Sequence, residues 1–138
     1  MTKPIYHGTV QPDLSVIKPF KRFTPGGEDL ADTIPPRIYA TYEPAFAVAH
    51  SFPWSSEDGI DIVLVDGIVT IVVPKDKQQV LEQGICIYTL PDDGFVYTNE
   101  EETGLTYHTE GEVVPTKCDH YQSVTEAMEK LGGQIRFI

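Results

Sequence analysis

The chain has 138 residues and a net charge of −11, from 10 basic and 21 acidic side chains, and is 41% hydrophobic and 22% charged. That length fits one domain spanning residues 1–138, with enough apolar matter for a core, which excludes a disordered chain. The acidic balance repels phosphate backbones and excludes non-specific nucleic-acid binding, and no run approaches the roughly 18 apolar residues of a membrane helix.

The opening residues, MTKPIYHGTV, lack the apolar stretch and small-residue cleavage site of a secretory signal, so a cytoplasmic protein without membrane contact is expected. PIYHGTV reads as a first strand. Its glycine is unusual, because glycine weakens a strand and marks a place where the backbone is approachable from outside. Residues 11–36, rich in Pro and Gly, form a long irregular segment of the kind that carries function or moves. RIYATY is a second strand. Thr41 then suits a helix N-cap, with Glu43 and Pro44 in the first turn of an alanine-rich helix, EPAFAVAHS.

IDIVLVDGIVTIVVP gives the clearest β signal, two apolar runs flanking Asp66-Gly67, the dipeptide favoured in a two-residue hairpin turn. GICIYTL and GFVYT are further strands, and LTYHTEGEVVPT holds one or two more. Ser123 and Glu126 fit a capping box, and the helix SVTEAMEKL stops at Gly132-Gly133 before a last strand, QIRFI. This order does not alternate regularly, so the predicted class is α+β, with a split antiparallel sheet and two short helices.

Charge is uneven. Residues 1–40 hold Lys3, Lys18, Lys21, Arg22 and Arg37 against four acids, whereas residues 92–112 hold seven acids and no Lys or Arg. An anionic small molecule would prefer the N-terminal part, and 98–104 reads as a solvated acidic loop. Cys86, inside an apolar run, reads as a buried reduced thiol. Cys118 and His120 lie two apart without a second ligand pair of zinc spacing, so no metal site is expected. His108 has no constellation, and Trp54 reads as a hydrophobic plug.

Chemistry concentrates in His7-Gly8-Thr9 and Tyr39-Ala40-Thr41. The first supplies an imidazole, an approachable backbone amide and a hydroxyl; the second supplies an aromatic face at a strand end. His50, 11 residues after Tyr39, can return to the same cleft from the end of the helix. Such a cleft suits a flat heteroaromatic amide, with the Gly8 N–H and C=O pairing a carboxamide and rings stacking on it.

YHGT followed by IYAT and an alanine-rich helix resembles the ADP-ribosyltransferase superfamily, in its diphtheria-toxin and poly(ADP-ribose) polymerase branch. The resemblance implies an NAD-binding fold, with NAD as substrate and ADP-ribose passed to an acceptor or to water. It further implies that His7 bonds the nicotinamide-side ribose, Gly8 holds the carboxamide, Thr9 lies near the adenosine side and Tyr39 stacks on nicotinamide. Thr41 belongs to the same cofactor-binding set, and His50 replaces the second stacking tyrosine. Glu112, with Glu110 as the alternative, would be the catalytic carboxylate beside His7 and Tyr39. A second resemblance spans nearly the whole chain: small uncharacterised bacterial proteins share the YHG strand, the [IV][YF]AT strand, the G-x-x-I-Y-x-L-P strand and the closing Q-I-x-F-I.

Three functions remain open from the sequence. One is an NAD-dependent transferase or glycohydrolase. A phosphotransfer variant of that fold is disfavoured by the acidic balance. The second is a module that binds NAD or ADP-ribose without turnover. The third is a protein adaptor using the acidic loop at 98–104.

Overall fold

A computed structural model of the chain describes residues 2–20, 35–98 and 104–138. Nine strands, two α-helices and two 3-10 turns make up the described residues, in the order β1 (Pro4–Thr9), β2 (Ile38–Ala40), α1 (Pro44–Ala49), β3 (Asp61–Val65), β4 (Ile68–Val73), β5 (Ile85–Pro91), β6 (Val96–Tyr97), β7 (Tyr107–Thr109), β8 (Lys117–Tyr121), α2 (Val124–Leu131) and β9 (Gln134–Phe137), with the 3-10 turns at Ser56–Asp58 and Lys75–Glu82. This is an α+β architecture dominated by sheet. No described helix is long and apolar enough to cross a membrane.

Three three-stranded sheets form, ordered β1-β5-β8, β2-β7-β6 and β3-β4-β9. Local chemistry explains most of the elements. Asp66 and Gly67 both take positive φ, 51° and 80°, as the tight turn between β3 and β4 requires. The Ser123 hydroxyl accepts from the Glu126 amide at 3.0 Å, and Gly132 ends α2 at φ 83°. The carboxylate of Glu126 instead accepts from Lys130 at 3.2 Å, one helical turn on. Helix α1 begins two residues later than its sequence suggests. Thr41 sits before it, its hydroxyl accepting from the Glu43 amide at 3.1 Å, and Glu43 occupies the cap position ahead of Pro44.

One pairing departs from the expected antiparallel arrangement. β9 runs parallel to β4, with Ile135 opposite Ile71. A parallel neighbour needs a long crossover, here everything from β5 through α2. The Gln134 amide fixes the register by donating to the buried Thr70 hydroxyl at 2.9 Å.

The central sheet separates two apolar cores. On one face, Ile85 and Ile87 pack against α1 and α2, which are covered in turn by Val69, Ile71 and Val73 of β4. Every residue of α1 after Pro44 is buried, which is why it is apolar all round rather than striped. On the other face, Ile5, Cys86, Tyr88 and Leu90 meet Ile17, Ile38 and Ala40. The alternation along β1 follows: Ile5 and His7 point to the second core, Tyr6 and Gly8 toward α1.

Candidate functional site

The first two sheets meet at a single bridge. Tyr6 and Thr41 exchange both backbone bonds, at 2.8 and 2.9 Å. In an antiparallel ladder the next hydrogen-bonded pair lies two residues on along each strand, which would join Gly8 to Tyr39. That pair does not form. The His7 ring reaches across instead, and its Nδ1 donates to the Tyr39 carbonyl at 2.6 Å. The Gly8 N–H and C=O point away from β5, toward the opened edge, and have no ladder partner among the described residues. Their position follows from the same alternation that pairs Tyr6 with Thr41.

A cavity of about 170 Å³ opens at this split. Its floor is the β1 edge at Tyr6, His7 and Gly8, and one wall is β2 at Tyr39, Ala40 and Thr41. Phe46, Ala47 and His50 of the α1 region form the opposite wall, and Phe20 and Thr106 complete the rim. An apolar cavity of about 150 Å³ admits one benzene ring, so this volume suits a single six-membered ring rather than a whole dinucleotide. The rings are placed for contact. His50 stands edge-on to Phe46 at 4.5 Å between centroids, and Tyr39 lies 6.1 Å from Phe20 and 6.3 Å from His108.

His7 is only 8% exposed. Burial lowers its pKa below the ordinary histidine value, outweighing the upward pull of the Tyr39 carbonyl. The ring is therefore neutral near pH 7. A carbonyl can only accept, so Nδ1 carries the proton and Nε2 keeps a lone pair for an incoming O–H or N–H.

Of the residues singled out in the sequence, His7, Gly8, Tyr39, Thr41 and His50 line one cavity, contributed by two strands and the end of a helix. Thr9 does not: it lies opposite Cys86, and its hydroxyl accepts from the Gln11 amide at 3.2 Å. Glu112 is exposed in the connection between β7 and β8, beside the Val113–Ile17 bridge, and does not line the cavity. Glu110 is likewise exposed. No carboxylate lines the cavity among the described residues. Glu100, Glu101 and Glu102 of the acidic loop, and residues 21–34 of the long segment, lie outside the described residues.

Gly8 has a second role. A Cβ there would lie 2.2 Å from the Ala47 carbonyl oxygen and 2.7 Å from Ser51 Cβ. The gap that the sequence assigns to a ligand is filled by helix α1. Only the peptide edge of Gly8, not its open face, is offered to the cavity.

Sequence reasoning missed Phe46, Phe20 and Thr106. Phe46 was legible, since it precedes His50 by one helical turn and shares its face. Phe20 and Thr106 carry no local signal. His108, which has no constellation in the sequence, is buried directly opposite Tyr39 and shares a 2.6 Å hydrogen bond with Thr98. It holds the wall behind Tyr39.

Comparison with protein-family models, curated proteins and solved structures finds no match to this chain.

Proposed function

We propose that the cavity receives the nicotinamide end of NAD and that the chain is an NAD-binding protein of the ADP-ribosyltransferase type. One observation carries the reading: the opened β1–β2 edge leaves the Gly8 N–H and C=O together beside the neutral His7 ring. A carboxamide supplies one acceptor and one donor, the complement of that peptide edge. Tyr39 and His50 both line the space and bring aromatic rings to it. The His7 Nε2 lone pair is available to a ribose hydroxyl. The volume fits one ring, leaving the ribose, pyrophosphate and adenosine outside it.

Transfer or hydrolysis needs more. As nicotinamide leaves, positive charge develops on the ribose, and a carboxylate must stabilise it and activate the acceptor. Glu112 is the residue the family resemblance nominates. Its exposed position away from the cavity lining favours a second reading, binding of NAD or ADP-ribose without turnover.

Calorimetric titration with NAD tests the first step. Saturable heat is expected in the wild type and not in His7→Ala. Tyr39→Ala should weaken binding by roughly 5- to 150-fold, the range of about 1–3 kcal/mol for one aromatic stack. Absence of heat at millimolar NAD refutes the assignment. Nicotinamide release then separates the two readings: release abolished by Glu112→Gln with binding intact identifies an enzyme, and binding without release identifies a module.

A further inference from the structure

Two strands away from the cavity, three side chains that can hold a metal come together. On the antiparallel β5–β8 pair, Cys86 lies opposite His120 and Tyr88 opposite Cys118. The backbone groups of Cys86 and Tyr88 point to β1, so both pairs are the non-hydrogen-bonded kind, in which side chains stand closest. Cys118 and His120 are two apart on one strand and share its face. Sheet geometry alone therefore gathers two sulfurs and an imidazole. The sequence, read by spacing, found only the Cys118–His120 half.

We infer that Cys86, Cys118 and His120, with the Asp13 carboxylate as fourth donor, form a binding site for a soft divalent cation of the Zn²⁺ class. Donor atoms of the first three all lie within 4.8 Å of one another. Cys86 Sγ is 3.3 Å from His120 Nδ1, Cys118 Sγ is 3.7 Å from Nε2, and Asp13 Oδ1 is 3.9 Å from Nε2. Around tetrahedral zinc, with Zn–S about 2.3 Å and Zn–N about 2.0–2.1 Å, neighbouring donors sit roughly 3.5–3.8 Å apart. The two sulfur–nitrogen distances suit that geometry but reach different ring nitrogens, so the His120 ring turns until one nitrogen faces both sulfurs, and Asp13, outside the 4.8 Å group, moves inward as the ion binds. Two thiolates select a soft cation over calcium or magnesium.

Asp13 is brought to this place by the chain around it. The Tyr88 hydroxyl donates to the Gln11 carbonyl at 2.8 Å and accepts from the Leu14 amide at 3.0 Å, pinning residues 11–14 over the sheet. Asp13 lies between them at φ 59°, a conformation uncommon for a non-glycine residue. Cys86 is buried, Cys118 half-buried and His120 exposed, which leaves a path for the ion from solvent. Each thiol releases its proton as the cation binds, and the cation takes the place of the hydrogen between Cys86 and His120.

The test uses the full chain, reduced and treated with chelator, titrated with Co²⁺ as an optical probe and then with Zn²⁺. One equivalent of Co²⁺ should give thiolate charge-transfer absorption with the intense visible bands of a tetrahedral centre, and Zn²⁺ should bleach both. Cys118→Ser should cut the charge-transfer band to roughly half or less, since Cys86 is then the one thiolate left, and His120→Ala should lose the saturable visible spectrum. His120 is exposed, so that variant keeps the test open if a cysteine variant does not fold. Asp13→Asn should keep the thiolate band and shift the visible bands. The inference is overturned if reduced wild type shows no saturable tetrahedral spectrum, or if the spectrum survives His120→Ala. Formation of a Cys86–Cys118 disulfide by a protein that takes up no metal when reduced also overturns it.

Discussion

Replacing Gly8 by alanine decides between two explanations of the glycine in the first strand. The added methyl would stand 2.2 Å from the Ala47 carbonyl oxygen and 2.7 Å from Ser51 Cβ. The oxygen belongs to helix backbone and cannot swing aside, so α1 must retreat by roughly 1 Å, and a gap of that size forfeits a quarter to a half of each contact's attraction. Five consecutive buried residues of α1 share the retreat. Overpacking of a core costs about 1–3 kcal/mol, and a backbone clash beneath a fully buried helix belongs at or above the top of that range. With about 2.1 cal/mol/K of unfolding entropy per residue, 138 residues give about 0.29 kcal/mol/K, so 3 kcal/mol lowers Tm by about 10 °C. Gly133→Ala is the comparison. Its methyl would meet Met128 Cε at 2.3 Å, but that atom ends a flexible side chain and can move. Thermal and urea unfolding of both variants, checked for an unchanged m-value, should rank Gly8→Ala well below Gly133→Ala. A Gly8→Ala protein within about 0.5 kcal/mol of wild type would refute the packing argument. Lost NAD binding at unchanged stability would then return the glycine to the ligand alone.

The remaining expectations concern titration and capping. Because burial lowers the His7 pKa in the folded protein, the unfolded chain takes up that proton more readily. Its contribution is therefore complete above the unfolded value, about 6.5, and is lost as pH falls through the folded value. The slope from one such proton is at most about 1.4 kcal/mol per pH unit, and His7→Gln should remove that part of the urea-unfolding profile between neutral and acid pH. An identical profile in the variant would show that His7 is not the group responsible. Ser123→Ala should cost about 1 kcal/mol, or about 3 °C in Tm, through loss of the bond to the Glu126 amide, and Ser123→Asp should restore most of it. No change in Ser123→Ala would mean that α2 is held by packing alone.

Much of the fold was legible where the deciding forces are local. The Asp66-Gly67 turn, the Ser123 cap, the Gly132 stop and the strands β1, β3, β4 and β5 each depend on residues within a few positions, whose φ preferences and capping groups are visible in the sequence. The α1 start falls two residues on because Pro44 takes the first helical position, which proline favours, and Thr41 is already committed to its bridge with Tyr6. The 3-10 turn at Lys75–Glu82 carried no clear pattern, with Leu81 its only buried side chain.

The sequence by itself determined the chemical character of His7, Gly8, Tyr39, Thr41 and His50. Tertiary structure alone decided that they line one cavity. The insertion of His7 between strands joins residues 32 apart, and the Cys86–His120 contact joins residues 34 apart. The same is true of the parallel direction of β9 and the helix that fills the space beside Gly8. Local propensities fix a backbone segment from within a few residues. Pairing register and the burial of two cores choose which distant segments share an edge, and that choice separated Thr9 and Glu112 from the cavity.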